Sequence, residues 1–156
     1  SLKLSAVYNV AQEAIELAKT ELPQTSIEVL DSQTATAAEG FVALAAARAA
    51  MEGKDLAEVA STAKETRDKV SCIVLLDTMR HVYRSGRIPK VAAQVGSIFN
   101  IRPIFTVSRV VHFAGAVRNR EHGINRILQM MRDKVGQSPV HVAVMHAYAL
   151  DEAERL

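Results

Sequence analysis

The stretch that decides the fold runs from Tyr83 to Ile104 and reads YRSGRIPKVAAQVGSIFNIRPI. A turn at Ser85-Gly86 is followed by Arg87, an amphipathic stretch and the run Ile101-Arg102-Pro103-Ile104. The stretch is basic and rich in turn residues, and apolar residues alternate with these. Core packing alone does not require this combination. It predicts a helix–turn–helix that leads into a strand.

The sequence on both sides of this stretch predicts an α/β protein. Before it, apolar spacing predicts helices at about 6–21, 36–52 and from residue 55 onward, and strands at 26–31 and 72–76. After it, we expect a hairpin of 101–107 and 110–117, a helix around 124–131, a strand at 140–145 and a helix from residue 151. We also expect Thr36 and Glu39 to form a capping box.

The net charge and the predicted arrangement of helices and strands both change near Lys69-Val70. Residues 1–70 carry 7 Lys/Arg and 11 Asp/Glu, whereas residues 71–156 carry 12 and 6. The first part reads as helix–strand–helix, as in a parallel α/β layer, and the second mixes a hairpin with helices. We therefore predict that residues 1–69 are part of an N-terminal α/β domain. Residues 70–156 are then part of a C-terminal α+β domain with a mixed sheet.

Composition and length exclude several classes of protein. The chain is 49% hydrophobic and 23% charged, as in ordinary globular proteins. The single Cys72 excludes an internal disulfide framework and fits a reducing cytoplasm, whether the thiol is inert or catalytic. The start does not resemble a signal peptide, and the longest apolar run, Phe41–Ala47, is far shorter than the roughly 20 residues that cross a bilayer. We expect a cytoplasmic protein.

Sequence motifs of catalysis and cofactor binding are absent. There is no P-loop, GxGxxG, GxSxG or HExxH pattern, and we find no general acid–base pair. The five histidines and the single cysteine form no metal-ligand pattern. The residues alone therefore predict no cofactor and no metal site, and an acyl-transfer or hydrolytic enzyme would need a nucleophile–base pair that the sequence does not show.

The second half is strongly basic over one long stretch. No acid lies between Asp77 and Glu121. The same stretch contains eight cationic residues, which are Arg80, Arg84, Arg87, Lys90, Arg102, Arg109, Arg118 and Arg120. This field favours an anionic partner, such as a lipid headgroup, a carboxylate, a phosphate or a nucleic acid. The alternative is a solvated face with internal ion pairs.

Two local features could bind an anion. Ser5 stands where an N-cap is expected, so its hydroxyl and the first N–H groups of the helix would meet at the positive end of the helix dipole. The Ser85-Gly86 turn precedes Arg87, which would either extend over a cleft or belong to an ordinary turn. Pro89 can then occupy the first position of the next helix.

Several strings resemble the DegV family of bacterial fatty-acid-binding proteins, and they span nearly the whole chain in the family's order. In the first half, these are Leu4-Ser5-Ala6-Val7-Tyr8, which is similar to LSGTY, and Asp31-Ser32 followed by Gly40. In the second half, the stretch from Leu76-Asp77-Thr78 to Gly86-Arg87-Ile88 is similar to the family's L-to-GGRI stretch. Ile101-Arg102-Pro103-Ile104 is similar to IKPI, and Val117-Arg118 resembles the arginine that closes the next strand.

The resemblance implies two domains that clasp a long-chain fatty acid in a cleft between them. The carboxylate is then held by hydroxyls, including that of Ser5, and is presented to a separate fatty acid kinase that performs the chemistry. On this basis we assign Ser5, Ser1, Gly86 and Arg87 to ligand binding. A basic surface of Arg102, Arg118 and Arg84 would dock on the kinase or on an anionic membrane. The alternative is a nucleic-acid-binding module that uses the basic second half.

The chain departs from the family pattern at several places. An upstream TSxPS segment and an HTGPG-like tail are absent, so the chain looks like the middle of such a protein. Ala6 and Val7 replace the Gly and Thr of LSGTY, and Ser85 replaces the first Gly of GGRI. These changes bear on headgroup affinity more than on the fold.

Overall fold

The computed structural model describes residues 2–79, 84–87 and 101–156. The elements of this part are α1 (Val7–Glu21), α2 (Thr36–Met51), α3 (Leu56–Lys69), β1 (Cys72–Leu75), β2 (Arg102–Ser108), β3 (Val110–Val117), α4 (Arg120–Val135) and α5 (Leu150–Ala153). The combination confirms the predicted α/β class. No helix in these ranges is both long enough and apolar enough to span a bilayer.

A three-stranded antiparallel sheet organises the second half, in the order β1-β2-β3. β1 pairs with β2 from Cys72↔Val107 to Leu75↔Ile104. β2 continues into β3 through a tight turn at Arg109, which has a left-handed φ of 59°. The predicted hairpin and the predicted strand before it are therefore confirmed. All the described pairings are antiparallel.

The centre of β2 forms the core of the sheet. Ile104 and Pro103 are fully buried, and Phe105 is 2% exposed. The Phe105 ring meets Phe113 of β3 edge-on, with 5.9 Å between ring centroids, and Met79 packs against the same ring. Pro103 and Ile104, the second half of the Ile101–Ile104 run, thus belong to the core, while Ile101 and Arg102 are only partly buried.

Helix α4 covers one face of the sheet at very close range. A Cβ placed on Gly123 would lie 2.7 and 2.8 Å from the two methyl groups of Leu75, and 3.2 Å from a methyl group of Val117. Only a residue without a side chain allows the helix to approach β1 and β3 so closely. Asn119 caps this helix by accepting a hydrogen bond from the His122 amide at 2.8 Å.

Helices α2 and α3 pack against each other in the first half, at the positions where helices are predicted. Gly53, with a φ of 83°, lies just after α2. Asp55 and Glu58 form a complete capping box at the start of α3: each carboxylate accepts from the other residue's amide, at 2.9 and 3.1 Å. Short side chains such as Ala38, Ala49, Ala60 and Ala63 are buried in this pair.

The predicted strands at 26–31 and 140–145 are wrong for the described structure, because neither segment pairs with another strand there. Both segments run without regular structure, and Val140, Val142 and Val144 are about half-exposed. An alternating pattern gives a segment the capacity to form a strand, but a strand also requires a neighbour whose backbone completes the hydrogen bonds. The parallel layer expected in the first half is likewise absent from the described residues.

The predicted capping box of Thr36 and Glu39 is wrong. The residue before α2 is Ala35, which provides no side-chain cap. The Glu39 carboxylate instead accepts a hydrogen bond from the Ser32 hydroxyl at 2.8 Å. The hydroxyl oxygen of Thr36 lies 3.6 Å from the sulfur of Cys72. Thr36 and Glu39 therefore do not cap the helix, and the amide of Ala37 in its first turn donates instead to the sulfur of Met145 at 3.2 Å.

Helix α1 exposes its apolar stripe. Val7, Val10 and Leu17 are 71%, 60% and 72% exposed, whereas Ile15, on another side of the helix, is buried. The helix bounds agree with the prediction, and the chain leaves the helix just before Pro23. The domain boundary near residue 70 stays a prediction.

Candidate functional site

Three separate segments that carry the sequence motifs converge in the structure. They are residues 2–5, residues 31–33 and residues 85–87, which we call the motif junction. One hydrogen bond runs from the Leu2 amide to Asp31 Oδ1 at 3.2 Å. Another runs from Arg87 Nε to the Leu4 carbonyl oxygen at 3.5 Å. The first segment is thus in contact with both of the others, although they are far apart in sequence.

Ser5 lies at the start of α1, as predicted, and it is exposed. Its Oγ accepts a hydrogen bond from the Val7 amide at 3.1 Å. The N-cap position itself belongs to Ala6, so Ser5 contacts the first turn from one residue further out. A hydroxyl that accepts one hydrogen bond can still donate its own proton, and here it would do so at the positive end of a 15-residue helix.

Asp31 fixes the geometry of the junction. Its Oδ1 accepts from the Leu2 amide and also from the Gln33 amide, at 2.9 Å. The second contact closes an Asx-type turn of the kind that Asp readily forms. Ser32, which is 6% exposed, donates to Glu39 of α2. The Asp31-Ser32 pair therefore connects the start of α1 to the first turn of α2.

The Ser85–Arg87 turn brings a guanidinium to the junction. Gly86 has a left-handed φ of 71°, and no atom lies within 4 Å of where its Cβ would be. Arg87 Nη1 donates to the Ser85 carbonyl at 2.7 Å. With the contact to Leu4, Arg87 uses two of its five guanidinium N–H groups within the described residues, and its side chain is exposed. Arg87 therefore contacts the segment that carries Ser5 through Leu4, while Ser1 lies outside the described residues.

The predicted basic surface divides into two kinds of arginine. Arg102 Nε donates to Asp77 Oδ1 at 3.0 Å, and Arg120 Nη1 donates to Asp77 Oδ2 at 2.9 Å. Arg102 also donates to the Arg118 carbonyl oxygen at 3.1 Å. Asp77 thus pairs with two arginines at the end of the sheet, Glu152 also lies 3.4 Å from Arg120 Nε, and Arg102 has a structural partner. By contrast, the side chains of Arg84 and Arg118 are exposed and have no ion pair within the described ranges.

Sequence reasoning missed one contact between the two halves. Arg109, at the tip of the hairpin, donates from its amide to the Gln33 carbonyl and from Nε to Gln33 Oε1 at 2.8 Å. The turn at Arg109 could be read from the sequence. Its partner, 76 residues earlier, could not, because nothing in the local pattern marks Gln33.

An apolar groove of about 260 Å³ lies beside the junction, between residues 28–32 and the helices α2 and α3. Leu30, Val42, Ala46, Leu56 and Val59 contribute to its apolar wall. Glu28 and Glu39 also line it, and their negative charge disfavours an anionic headgroup there. The motif junction also contains a carboxylate, that of Asp31, but it adds the guanidinium of Arg87. Among the described residues, no group of His, Cys, Asp and Glu side chains could hold a metal ion.

Comparison with known proteins gives a consistent result. The sequence model of the uncharacterised DegV protein family matches residues 1–156. A DegV domain-containing protein of Clostridium perfringens is 32% identical over the whole chain, which covers 56% of that protein. One from Streptomyces coelicolor is 31% identical with the same coverage. The chain therefore spans about half the length of these curated relatives.

Solved structures show the same fold. A DegV family protein from Thermus thermophilus, described as binding fatty acid, is 28% identical with a TM-score of 0.73; the match covers 88% of this chain and 48% of that one. A DegV family protein from Corynebacterium glutamicum is 24% identical with a TM-score of 0.89, over 99% of this chain and 58% of that one.

Proposed function

Because the chain belongs to the DegV family, we propose that it is part of a protein that binds a long-chain fatty acid between its two halves. The observation that carries this proposal is that the segment before α1, which contains Ser5, contacts Asp31 through Leu2 and Arg87 through Leu4. These residues come from the separate strings that resemble the family. The Thermus thermophilus relative, which is described as binding fatty acid, supports the choice of ligand.

The chemistry of the junction suits a carboxylate. Ser5 can donate its hydroxyl proton, and the exposed guanidinium of Arg87 has further N–H groups to offer. The N-terminal end of α1 adds a favourable dipole. We assign the acyl tail to apolar surface in the cleft, where each buried CH₂ contributes roughly 0.8 kcal/mol. Tail burial therefore supplies most of the affinity, and the polar junction orients the ligand.

We further propose that the protein is a cytoplasmic carrier, with no catalytic role, that presents the carboxylate to a separate fatty acid kinase. Arg84 and Arg118 are the cations best suited to dock on that kinase or on an anionic membrane, because their charges are not neutralised within the described residues. Arg102 is less suited, because Asp77 already pairs with it. The same pairing reduces the positive field that the alternative of nucleic-acid binding requires.

Native mass spectrometry of the intact protein tests the central proposal. We expect a species that is heavier than the protein by the mass of one long-chain fatty acid, and we expect organic extraction to release that acid. A protein that never carries an acid, and that also fails to bind one when it is supplied, would contradict the proposal. Binding of an oligonucleotide that weakens steeply with salt would favour the alternative.

Arg87→Ala separates ligand binding from docking. If Arg87 acts at the docking surface, the variant should still carry fatty acid but bind anionic vesicles or support acyl phosphorylation poorly. If the variant is purified without lipid, Arg87 belongs to the pocket. Arg126→Ala is a matched control, because Arg126 is exposed on α4 and has no sequence resemblance to a family motif. Normal behaviour in all assays would make Arg87 only a turn residue.

A further inference from the structure

Gln33 and Arg109 form a polar contact that joins the two halves of the chain. Arg109 donates its amide to the Gln33 carbonyl and its Nε to the Gln33 side-chain oxygen at 2.8 Å. Gln33 belongs to the Asp31 turn, and Arg109 is the tip of the β2–β3 hairpin. The contact is made by polar groups and involves no apolar side-chain packing between the two residues.

Both residues have an unusual backbone conformation. Gln33 has a φ of 55° and Arg109 a φ of 59°, and both lie in the left-handed region that residues with a side chain rarely adopt. Each conformation is set by its own turn, the hairpin at Arg109 and the Asp31 turn at Gln33. The contact between the two turns consists of two hydrogen bonds, so it can break without unfolding either turn.

The contact is coupled to the motif junction through one residue. Asp31 Oδ1 binds the amide of Gln33 and the amide of Leu2. Leu2 belongs to the segment that carries Ser5, which is also in contact with Arg87 through Leu4. Movement of Gln33 away from Arg109 would therefore displace the residues proposed to hold the carboxylate.

We propose that Gln33 and Arg109 form a latch between the two halves, and that the latch opens when a fatty acid enters or leaves. This inference rests on the proposed function. In this proposal, Gln33 and Arg109 control the rate at which the fatty acid is exchanged and do not take part in recognising it. A latch of this kind slows both entry and release, because the closed state blocks both.

Stopped-flow fluorescence on the intact protein tests the latch. The protein is loaded with cis-parinaric acid, a naturally fluorescent fatty acid, and is then mixed with excess palmitic acid. Arg109→Ala removes the side-chain contact, which involves a charged group, and should accelerate release about tenfold. Gln33→Glu turns the hydrogen bond into an ion pair and should slow release about threefold at low salt. The double variant should lose this slowing.

The controls distinguish the latch from general damage. Arg126→Ala makes the same chemical change on an exposed side chain of α4, outside the proposed site and docking surface, and should leave release unchanged. Because Gln33→Glu is expected to slow release, loss of folding cannot imitate it. If Arg109→Ala does not fold, Gln33→Ala removes the same side-chain contact from the other partner.

The release rates can contradict the latch without contradicting fatty acid binding. Release rates that are equal in the parent, Arg109→Ala and Gln33→Glu proteins would overturn the latch while leaving fatty acid binding intact. Equal acceleration in Arg126→Ala would also overturn it. If the folded parent protein binds neither parinaric nor palmitic acid, the proposed function fails, and the latch fails with it.

Discussion

Two glycines in helices should respond in opposite ways to the same substitution. Gly40 lies in α2 with no atom within 4 Å of where its Cβ would be, whereas a Cβ on Gly123 would lie 2.7 Å from Leu75. Replacing Gly by Ala inside a helix gains roughly 0.8–1.0 kcal/mol of helix propensity. Gly40→Ala should therefore raise the free energy of unfolding by up to about 1 kcal/mol.

At Gly123 the same gain is opposed by overpacking. The new methyl group would meet both methyl groups of Leu75 and one of Val117. Leu75 is flexible at its far end, but it is held between α4 and β2, so it must change rotamer or push the helix outward. Extra methyl groups in a packed interior cost typically 1–3 kcal/mol. The net change at Gly123 is then a loss of up to about 2 kcal/mol.

Urea denaturation of the intact protein, followed by far-UV circular dichroism, measures both changes with the m-value as a check on two-state behaviour. We expect the midpoint to rise for Gly40→Ala and to fall for Gly123→Ala. Adding Leu75→Ala to Gly123→Ala should recover part of the loss attributed to the contact, although it removes apolar packing of its own. If Gly123→Ala stabilises the protein as much as Gly40→Ala does, the close packing of α4 on the sheet is wrong.

Three further substitutions test the junction and the ion pairs. Ser5→Ala should lower the free energy of unfolding by about 1 kcal/mol, because the bond to the Val7 amide is lost. Calorimetry with palmitic acid should show weaker binding, and unchanged affinity would remove Ser5 from the site. Gly86→Val should destabilise the protein by about 1–3 kcal/mol, because φ is 71° there. Gly86→Asn should destabilise it clearly less, because Asn tolerates a left-handed φ. A native melting temperature for the Val variant would contradict this. Asp77→Asn should lower stability by up to about 1 kcal/mol at low salt, and the loss should shrink in 1 M salt if the two arginine pairs cause it.

Features that are fixed by neighbouring residues could be predicted from the sequence. The start of α3 near residue 55 and the hairpin of β2 and β3 each depend on contacts within a few residues. For such features the local pattern contains nearly all the physical information. The junction residues Ser5 and Arg87 came from the family resemblance, because an ordinary cap and an ordinary turn have the same sequence pattern.

Features that depend on distant partners could not be predicted. The segment at 26–31 has the composition of a strand, but strand formation depends on a neighbour that its own sequence does not specify. Glu39 could cap its helix or bind Ser32, and only the tertiary fold decides in favour of Ser32. Arg102 was assigned to a docking surface because no acid is near it in sequence, yet Asp77, 25 residues away, is its partner in space.

The unpaired segment at 140–145 has a practical consequence for work with this chain. It reads VHVAVM, which is apolar at alternate positions, lacks proline and carries no fixed charge. Its valines are exposed, and no strand in the described residues pairs with its backbone. Such a window is a template for intermolecular β-sheet, so a fragment of 156 residues should be prone to self-association at high concentration. A lysine in place of Val142 would act as a gatekeeper against that process.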